Sequence, residues 1–394
     1  MNGVRWRTAD TAAKFIGITD SRLRMSEKTN LFTPFHGAGL ELANRIVMAP
    51  MTRRKSPGGV PGEDVAAYYR RRAEGGVGLI ITEGTTIGRP AASSDEAIPN
   101  IHSPESILGW KHVVDGVHAA GGKIAVQLWH MGLRREPGTG PEPSAPSEGP
   151  SSEGAHSHAM TDSEIADAIE AFAQAAQTAR AIGFNAVEIH GAHGYLVDQF
   201  FWEATNRRTD SYAGSIAGRT RFATEIVKAI RNRVGYDFTV SLRFSQWKVQ
   251  DYSSRLARTP GELEQLLIPL ADAGVSIFHA STRRFWEPEF TDSSLNLAGW
   301  AKKITGLPAM TVGSIGLEGP DFLHTLHARD TDRQYGQHQA ASLDSLLHRL
   351  GDGEFDLVAV GRALAADPNW VRKVRDGAQD SIVTFEQSTL AELI

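Results

Sequence analysis

The chain has 394 residues, 41% hydrophobic and 22% charged, with a formal net charge of −5 and no cysteine. This is the composition of an ordinary soluble globular protein, and its slight acidity offers no basic field for nucleic acid. The lack of cysteine excludes disulfides, thiolate zinc sites and Cys-ligated iron–sulfur clusters, and no apolar run is long enough to span a bilayer.

Residues 1–29 carry Arg5, Arg7, Lys14, Arg22 and Arg24 with little apolar patterning. They lack the apolar core of a secretory signal, and Asp10 and Asp20 argue against an organelle-targeting peptide. A disordered extension is expected there, with Met25 as an alternative start, residues 30–394 as one domain and cytoplasmic residence as the default. Beyond it, short apolar runs alternate with helix-periodic segments. The predicted strands are Arg45–Ala49, Gly78–Thr82, Lys123–Gln127, Ala186–His190, Thr239–Arg243, Ser276–Ala280, Pro308–Val312 and Asp356–Val360. Helical spacing recurs near 62–74, 104–120, 162–182, 217–234, 260–273, 292–305, 318–350 and 367–376. Such alternation implies βαβ crossovers and parallel pairing. The expected fold is α/β, a (β/α)8 TIM barrel with loop insertions over its C-terminal face, where such barrels place their sites. An open doubly wound sheet is the competing architecture.

The segment 162–182 shows the local logic. Thr161 and Glu164 form a capping-box pair. Ile165, Ile169, Phe172, Ala176, Ala179 and Ile182 then make one apolar face, and Gly183 can end the helix in the left-handed conformation. Two segments break the regularity. Residues 135–160 are rich in Gly, Pro and Ser and too long for a simple connection, so they read as a lid, or else as a disordered insertion. The polar stretch 320–350 reads as a surface elaboration.

The most informative stretch closes the fourth strand, Ala186-Val-Glu-Ile-His190-Gly-Ala-His193-Gly-Tyr195. Gly191 and Gly194 read as the turn leaving the strand, placing three proton-capable side chains at its exit. A barrel would gather these with Thr52, Glu83, Gln127 and Arg243, and with Gly313-Ser314 and Gly361-Arg362 after strands seven and eight. The last two pairs suit a phosphate group, with backbone N–H groups freed by glycine and Arg362 as a bidentate partner. Duller readings stand beside each. His190 and His193 could ligate a metal, as in a metal-dependent barrel hydrolase, although no third ligand announces itself. Arg243 could pair structurally with Glu188 or Glu83, Tyr195 could be a rim residue, and the glycines could be plain turn formers. Trp129 and Trp370 are aromatic bulk first and pocket walls second. Arg208, Asp210, Tyr212 and Arg219 read as a structural loop network.

The motifs Asn44-Arg-Ile-Val-Met-Ala-Pro50-Met51-Thr52-Arg, Gly78-Leu-Ile-Ile-Thr-Glu-Gly84, Gln127-Leu-Trp129-His-Met-Gly and His190-Gly-Ala-His193-Gly-Tyr195-Leu occur in order. Asn206-Arg-Arg-Thr-Asp-Ser-Tyr212, Arg243-Phe-Ser, Val312-Gly-Ser and Val360-Gly-Arg362 follow them. This ordered set resembles the Old Yellow Enzyme family of FMN-dependent ene-reductases over residues 30–380. The resemblance implies non-covalently bound FMN, with Pro50, Met51 and Thr52 beside the ring, Gly84 allowing close approach, and Gln127 on the pyrimidine edge. It also implies Arg243 near N1 and O2, with the phosphate held by Gly313, Ser314, Gly361 and Arg362. NAD(P)H would be the reductant in ping-pong kinetics, and electron-poor alkenes (enones, enals, nitroalkenes) the substrates. His190, His193 and Trp129 would bind substrate, and Tyr195 would supply the proton. No metal, nucleic acid or membrane partner is implied, and the chain would be a monomer or a homo-oligomer. A flavin-binding barrel without such turnover is the alternative. Family members with a cysteine beside the flavin, or with an iron–sulfur centre, differ from this cysteine-free chain.

Overall fold

Side chains alternate between two cores along every strand, and that alternation closes the barrel. The computed structural model describes residues 30–316 and 343–394. Its barrel strands are β1 (Ile46–Met48), β2 (Leu79–Thr86), β3 (Ile124–Trp129), β4 (Ala186–His193), β5 (Thr239–Lys248), β6 (Ile277–Ser281), β7 (Ala309–Val312) and β8 (Leu357–Val360). Each pairs in parallel with its successor, and β8 returns to β1 with Val358 opposite Ile46 and Val360 opposite Met48. The (β/α)8 barrel is therefore the fold. The open sheet is ruled out, because it would leave two unpaired edges.

Ile46, Met48, Ile80, Val126, Val187, Leu242, Phe278 and Val358 face outward into the core shared with the helices. Val47, Leu79, Ile81, Ala125, Ala186, Ile277, Met310 and Leu357 face inward and form a second core. A hairpin of Phe35–Gly37 with Leu40–Leu42 contributes Phe35, Leu40 and Leu42 to that inner core. Thr239 Oγ1 ties the hairpin turn down by donating to the Ala38 carbonyl at 2.6 Å.

The outer ring comprises α1 (Glu63–Glu74), α2 (Pro104–Ala119), α3 (Asp162–Ala181), α4 (Ile216–Val234), α5 (Pro260–Ala273), α6 (Leu297–Thr305) and α7 (Leu343–Gly351). Helix α3 has the expected capping box, with Ile165, Phe172, Ala176 and Ala179 buried and Gly183 at φ 101°. Two helices differ from expectation. Helix α6 starts at Leu297 rather than 292, because the Asn296 side chain caps the Gly299 N–H. The helix predicted at 367–376 is shortened to Trp370–Arg375, and a separate short helix, Arg362–Ala366, precedes it. Pro368 between them disfavours helical geometry at Asp367. The extension over 1–29 and most of the predicted surface elaboration lie outside the described residues. No helix among the described residues is long and apolar enough to cross a membrane.

The 135–160 segment is built, not loose. Buried Arg135 donates to the carbonyls of Thr139, Glu142 and Ala145. Strands Ser147–Gly149 and Ser157–Ala159 pair in parallel within it. Arg208 fastens its base through the carbonyls of Pro150 and Met160 while pairing with Asp210, and Tyr212 donates to Glu225. The loop network expected of these residues is thus structural.

Candidate active site

Inward-facing positions turn from apolar to polar toward the C-terminal ends of the strands. On β3 the order is Ala125, Gln127, Trp129; on β4 Ala186, Glu188, His190; on β5 Thr239, Ser241, Arg243; on β6 Ile277, His279, Ser281. Period-two alternation puts all of these on the lumen side. The middle positions form a closed network. Glu188 accepts from Gln127 Nε2 at 2.9 Å, Ser241 Oγ at 3.1 Å and His279 Nδ1 at 2.8 Å. Burial pushes the Glu188 carboxyl up, but His279, Arg243 and Gln127 together outweigh it and hold the group below its ordinary value. Gln127 is thereby locked in one orientation beneath the mouth.

Arg243 sits one step above. One guanidinium nitrogen donates to Ser281 Oγ at 3.2 Å, and Nε is buried without a partner among the described residues. Neither carboxylate considered from sequence pairs with it directly, since Glu188 is taken by His279 and Glu83 by backbone N–H groups. Burial lowers the Arg243 pKa to about 10, which leaves it charged at neutral pH. A buried cation with an unused donor faces the mouth.

Strand β4 runs further than its apolar pattern suggested. Gly191 is inside the strand rather than in the turn, and a Cβ there would meet the Arg243 carbonyl at 3.1 Å. A register shift against β5 follows between Gly191 and His193. His193 then adopts φ 65°, uncommon for a residue with a side chain, and its N–H is fixed by Ser245 Oγ at 3.0 Å. Bulges of this kind re-aim side chains at strand ends. Gly194, at φ 81°, makes the turn, and its N–H donates to Asp198 Oδ2 at 2.6 Å. The result brings His190, His193 and Tyr195 together. The His190 ring lies 5.1 Å from both His193 and Tyr195, and Tyr195 packs edge-on against Trp129, also at 5.1 Å.

Both imidazoles are neutral. Burial, then Arg243, lowers His190 to about 3, and the same two causes followed by His190 take His193 well below its ordinary value. Burial raises Tyr195, opposed by Arg134 and Arg54, so the phenol keeps its proton. The His, Asp and Glu groups near enough to share a cation among the described residues are Glu148 and His158 of the 135–160 segment and Glu164 at the start of α3, and they do not include His190 or His193.

The remaining candidates sit around this core. Pro50 and Met51 are half-buried and Thr52 is exposed, on the loop leaving β1. Gly84 lies opposite Gln127 past a register shift, and a Cβ there would meet the Trp129 indole at 3.1 Å. Its missing side chain therefore makes room for Trp129. Gly313, at φ 141°, passes so close to the β6 loop that a Cβ would meet the Thr282 carbonyl at 2.8 Å. Ser314 Oγ donates to the Arg283 carbonyl at 3.0 Å and receives Arg362 at 3.5 Å. Gly361 is open: a Cβ would meet only Met51 Sδ at 3.5 Å and Ala49 at 3.8 Å. Trp370 is buried in the outer core and is no pocket wall.

Sequence reasoning missed several contributors. Glu83 was read as a strand-end carboxylate and a possible partner of Arg243. Its Oε2 in fact accepts the Arg53 and Arg54 N–H groups at 2.7 and 3.1 Å, holding the Thr52 loop with Arg54 at φ 56°. Trp247 lies against His193, and buried Lys248 pairs with buried Asp198 at 2.8 Å. Asp198, the one charge between Tyr195 and Trp202, was the available signal for that pair. Burial raises Glu83 to about 7 from an ordinary 4.5. Between those values the unfolded chain binds fewer protons than the native one, so native stability falls as pH rises. Melting temperatures of the wild type should therefore drop across this window relative to Glu83→Gln; parallel profiles would contradict the assignment.

Residues 30–324 match the NADH:flavin oxidoreductase / NADH oxidase family. The chain is 34% identical over 370 residues to an NADH oxidase of Thermoanaerobacter brockii, a match that covers 91% of this chain and 52% of that longer protein. It is also 34% identical over 369 residues to the chanoclavine-I aldehyde reductase fgaOx3 of Penicillium roqueforti (strain FM164), covering 92% of each. The structure of morphinone reductase in complex with tetrahydroNAD superposes with a TM-score of 0.74 at 29% identity, covering 91% of this chain and 93% of that one. With this barrel, these strand-end residues and a family match across most of its length, the chain belongs to the NADH:flavin oxidoreductase family, the Old Yellow Enzyme family of FMN proteins.

Proposed function

We propose that this protein reduces activated C=C bonds, in enones, enals and nitroalkenes, at the expense of NAD(P)H. The observation that carries the reading is the cluster of two neutral buried imidazoles and one protonated phenol beside a buried arginine with an unused donor. FMN, when bound, supplies the two-electron chemistry by which hydride from a nicotinamide reaches an alkene.

The residues present fit that cofactor. Among the described residues Arg243 Nε is buried without a partner, and the cradle at Gly361 would be narrowed by a Cβ. Arg243 would face the electron-rich pyrimidine edge and stabilise negative charge there, and Gln127, oriented by Glu188, would bind the same edge. Gly313, Ser314, Gly361 and Arg362 would hold the phosphate, with Pro50, Met51 and Thr52 along the ring.

The polar cluster then divides the remaining work. His190 and His193 donate hydrogen bonds to the substrate carbonyl or nitro oxygen. As neutral donors in a dry site they gain strength when charge develops on that oxygen. Tyr195 gives its proton to the α-carbon as general acid, while Trp129 walls the substrate side. One mouth must serve nicotinamide and alkene in turn, which gives ping-pong kinetics.

The test is spectroscopic. The FMN-loaded protein should bleach with NADPH or NADH under anaerobic conditions and recolour on addition of cyclohexenone. Bleaching without recolouring by any enone or nitroalkene would favour a flavin-binding barrel lacking this turnover.

A further inference from the structure

Ser281, at the end of β6, touches three parts of the site wall. Its Oγ lies 3.2 Å from an Arg243 guanidinium nitrogen and 2.8 Å from His193 Nε2, and its carbonyl accepts the Trp247 indole N–H at 3.0 Å. The Trp247 ring in turn lies against His193, 4.5 Å between centroids and inclined by 32°. A guanidinium has donors only, so Ser281 Oγ accepts from Arg243. The hydroxyl hydrogen is then available to one further partner, and His193 Nε2 is within reach.

Building on the proposed function, we infer that Ser281 is a positioning residue that fixes His193 as its Nδ1–H tautomer, the form that can donate to a substrate oxygen. A neutral imidazole carries one N–H, and accepting a hydrogen bond at Nε2 places it on Nδ1. Among the described residues no hydrogen bond is made to Nδ1, so that nitrogen is left for a ligand. His190 is set in the opposite sense, because its Nδ1 accepts the Ala192 N–H at 3.4 Å and its proton therefore lies on Nε2. Burial keeps both rings uncharged. Two imidazoles can serve one oxygen as paired donors only if each has its donor on the nitrogen facing that oxygen, and different local partners make that choice here. The same hydroxyl joins the arginine assigned to the cofactor edge with the histidine assigned to the substrate.

The test labels histidine with nitrogen-15 in the FMN-loaded protein and records long-range proton–nitrogen correlations at neutral pH. His193 is assigned by the signals lost in His193→Asn. The expected spectrum has a protonated Nδ1 and a bare Nε2 for His193; a protonated Nε2 overturns the inference whatever the variants do. Ser281→Ala should mix the tautomers and weaken binding of p-hydroxybenzaldehyde, read from its long-wavelength flavin band, by about tenfold, the scale of one lost hydrogen bond. Ser281→Thr, which keeps the hydroxyl, should restore both readouts. Wild-type tautomer and phenol affinity in Ser281→Ala would also overturn it. A wild type with the expected tautomer that binds no phenol and reduces no enone would sink the proposed function while leaving the tautomer assignment standing.

Discussion

Tyr195→Phe is expected to slow reoxidation by an enone by roughly 10²–10⁴-fold, the usual contribution of a positioned general acid. Bleaching by nicotinamide should stay near the wild-type rate, because under the proposed function only the alkene half-reaction would consume the phenolic proton. The substitution isolates chemistry from packing. The Tyr195 ring is held edge-on by Trp129 and His190, contacts that phenylalanine retains. What is lost is a hydroxyl kept protonated by burial, with Arg134 and Arg54 opposing. Stopped-flow absorbance of the two half-reactions separates the cases. An equal loss in both would remove Tyr195 from the role of proton donor.

Lys248→Met is expected to cost about 3–5 kcal/mol of stability, the range for removing one partner of a buried ion pair. Both side chains are fully buried, and among the described residues Asp198 has only Lys248 Nζ and the Gly194 N–H to satisfy it. Without the ammonium, an uncompensated carboxylate lies under the turn that aims Tyr195. Burial already raises Asp198, with Lys248 opposing. In the variant that opposition is gone, so the native pKa stands further above the unfolded one. A raised carboxyl pKa means stability present at low pH and lost as pH rises. The deficit should therefore be small in acid and largest at neutral pH. Denaturant midpoints of wild type, Lys248→Met and Lys248→Met/Asp198→Leu across pH check this. The double variant should recover most of the loss, since apolar replacements of buried pairs are often near neutral. A single variant as stable as the wild type at neutral pH would show that the pair has no such role.

The legible and illegible parts of the site differ in kind. His190, Arg243 and Gln127 could be placed because each ends or nearly ends an alternating run, and alternation alone assigns a lumen face. His193 and Tyr195 were legible as candidates, yet the path to them was not. The strand continues through Gly191, bulges, and turns only at Gly194, and that depends on Ser245 and Asp198 reaching in from neighbouring elements. Gly84 was read for the room it gives a ligand, whereas the space beside it holds the Trp129 indole, a neighbour on the adjacent strand. Glu83 read as a strand-end carboxylate that could pair with Arg243, whereas it accepts from the backbone of the Thr52 loop.

Local periodicity, caps and turn residues by themselves determined the eight strands and most of the helices, because each rests on residues a few positions apart, whereas closure, which pairs Val358 with Ile46, was decided against the open sheet only in the tertiary structure. Only the tertiary structure decided which polar groups share a proton. Ser281 meets His193 across 88 positions of sequence and Arg243 across 38, and Asp198 meets Lys248 across 50. Hydrogen bonds have short range and strict direction, so partners brought together by barrel closure leave no periodic trace along the chain.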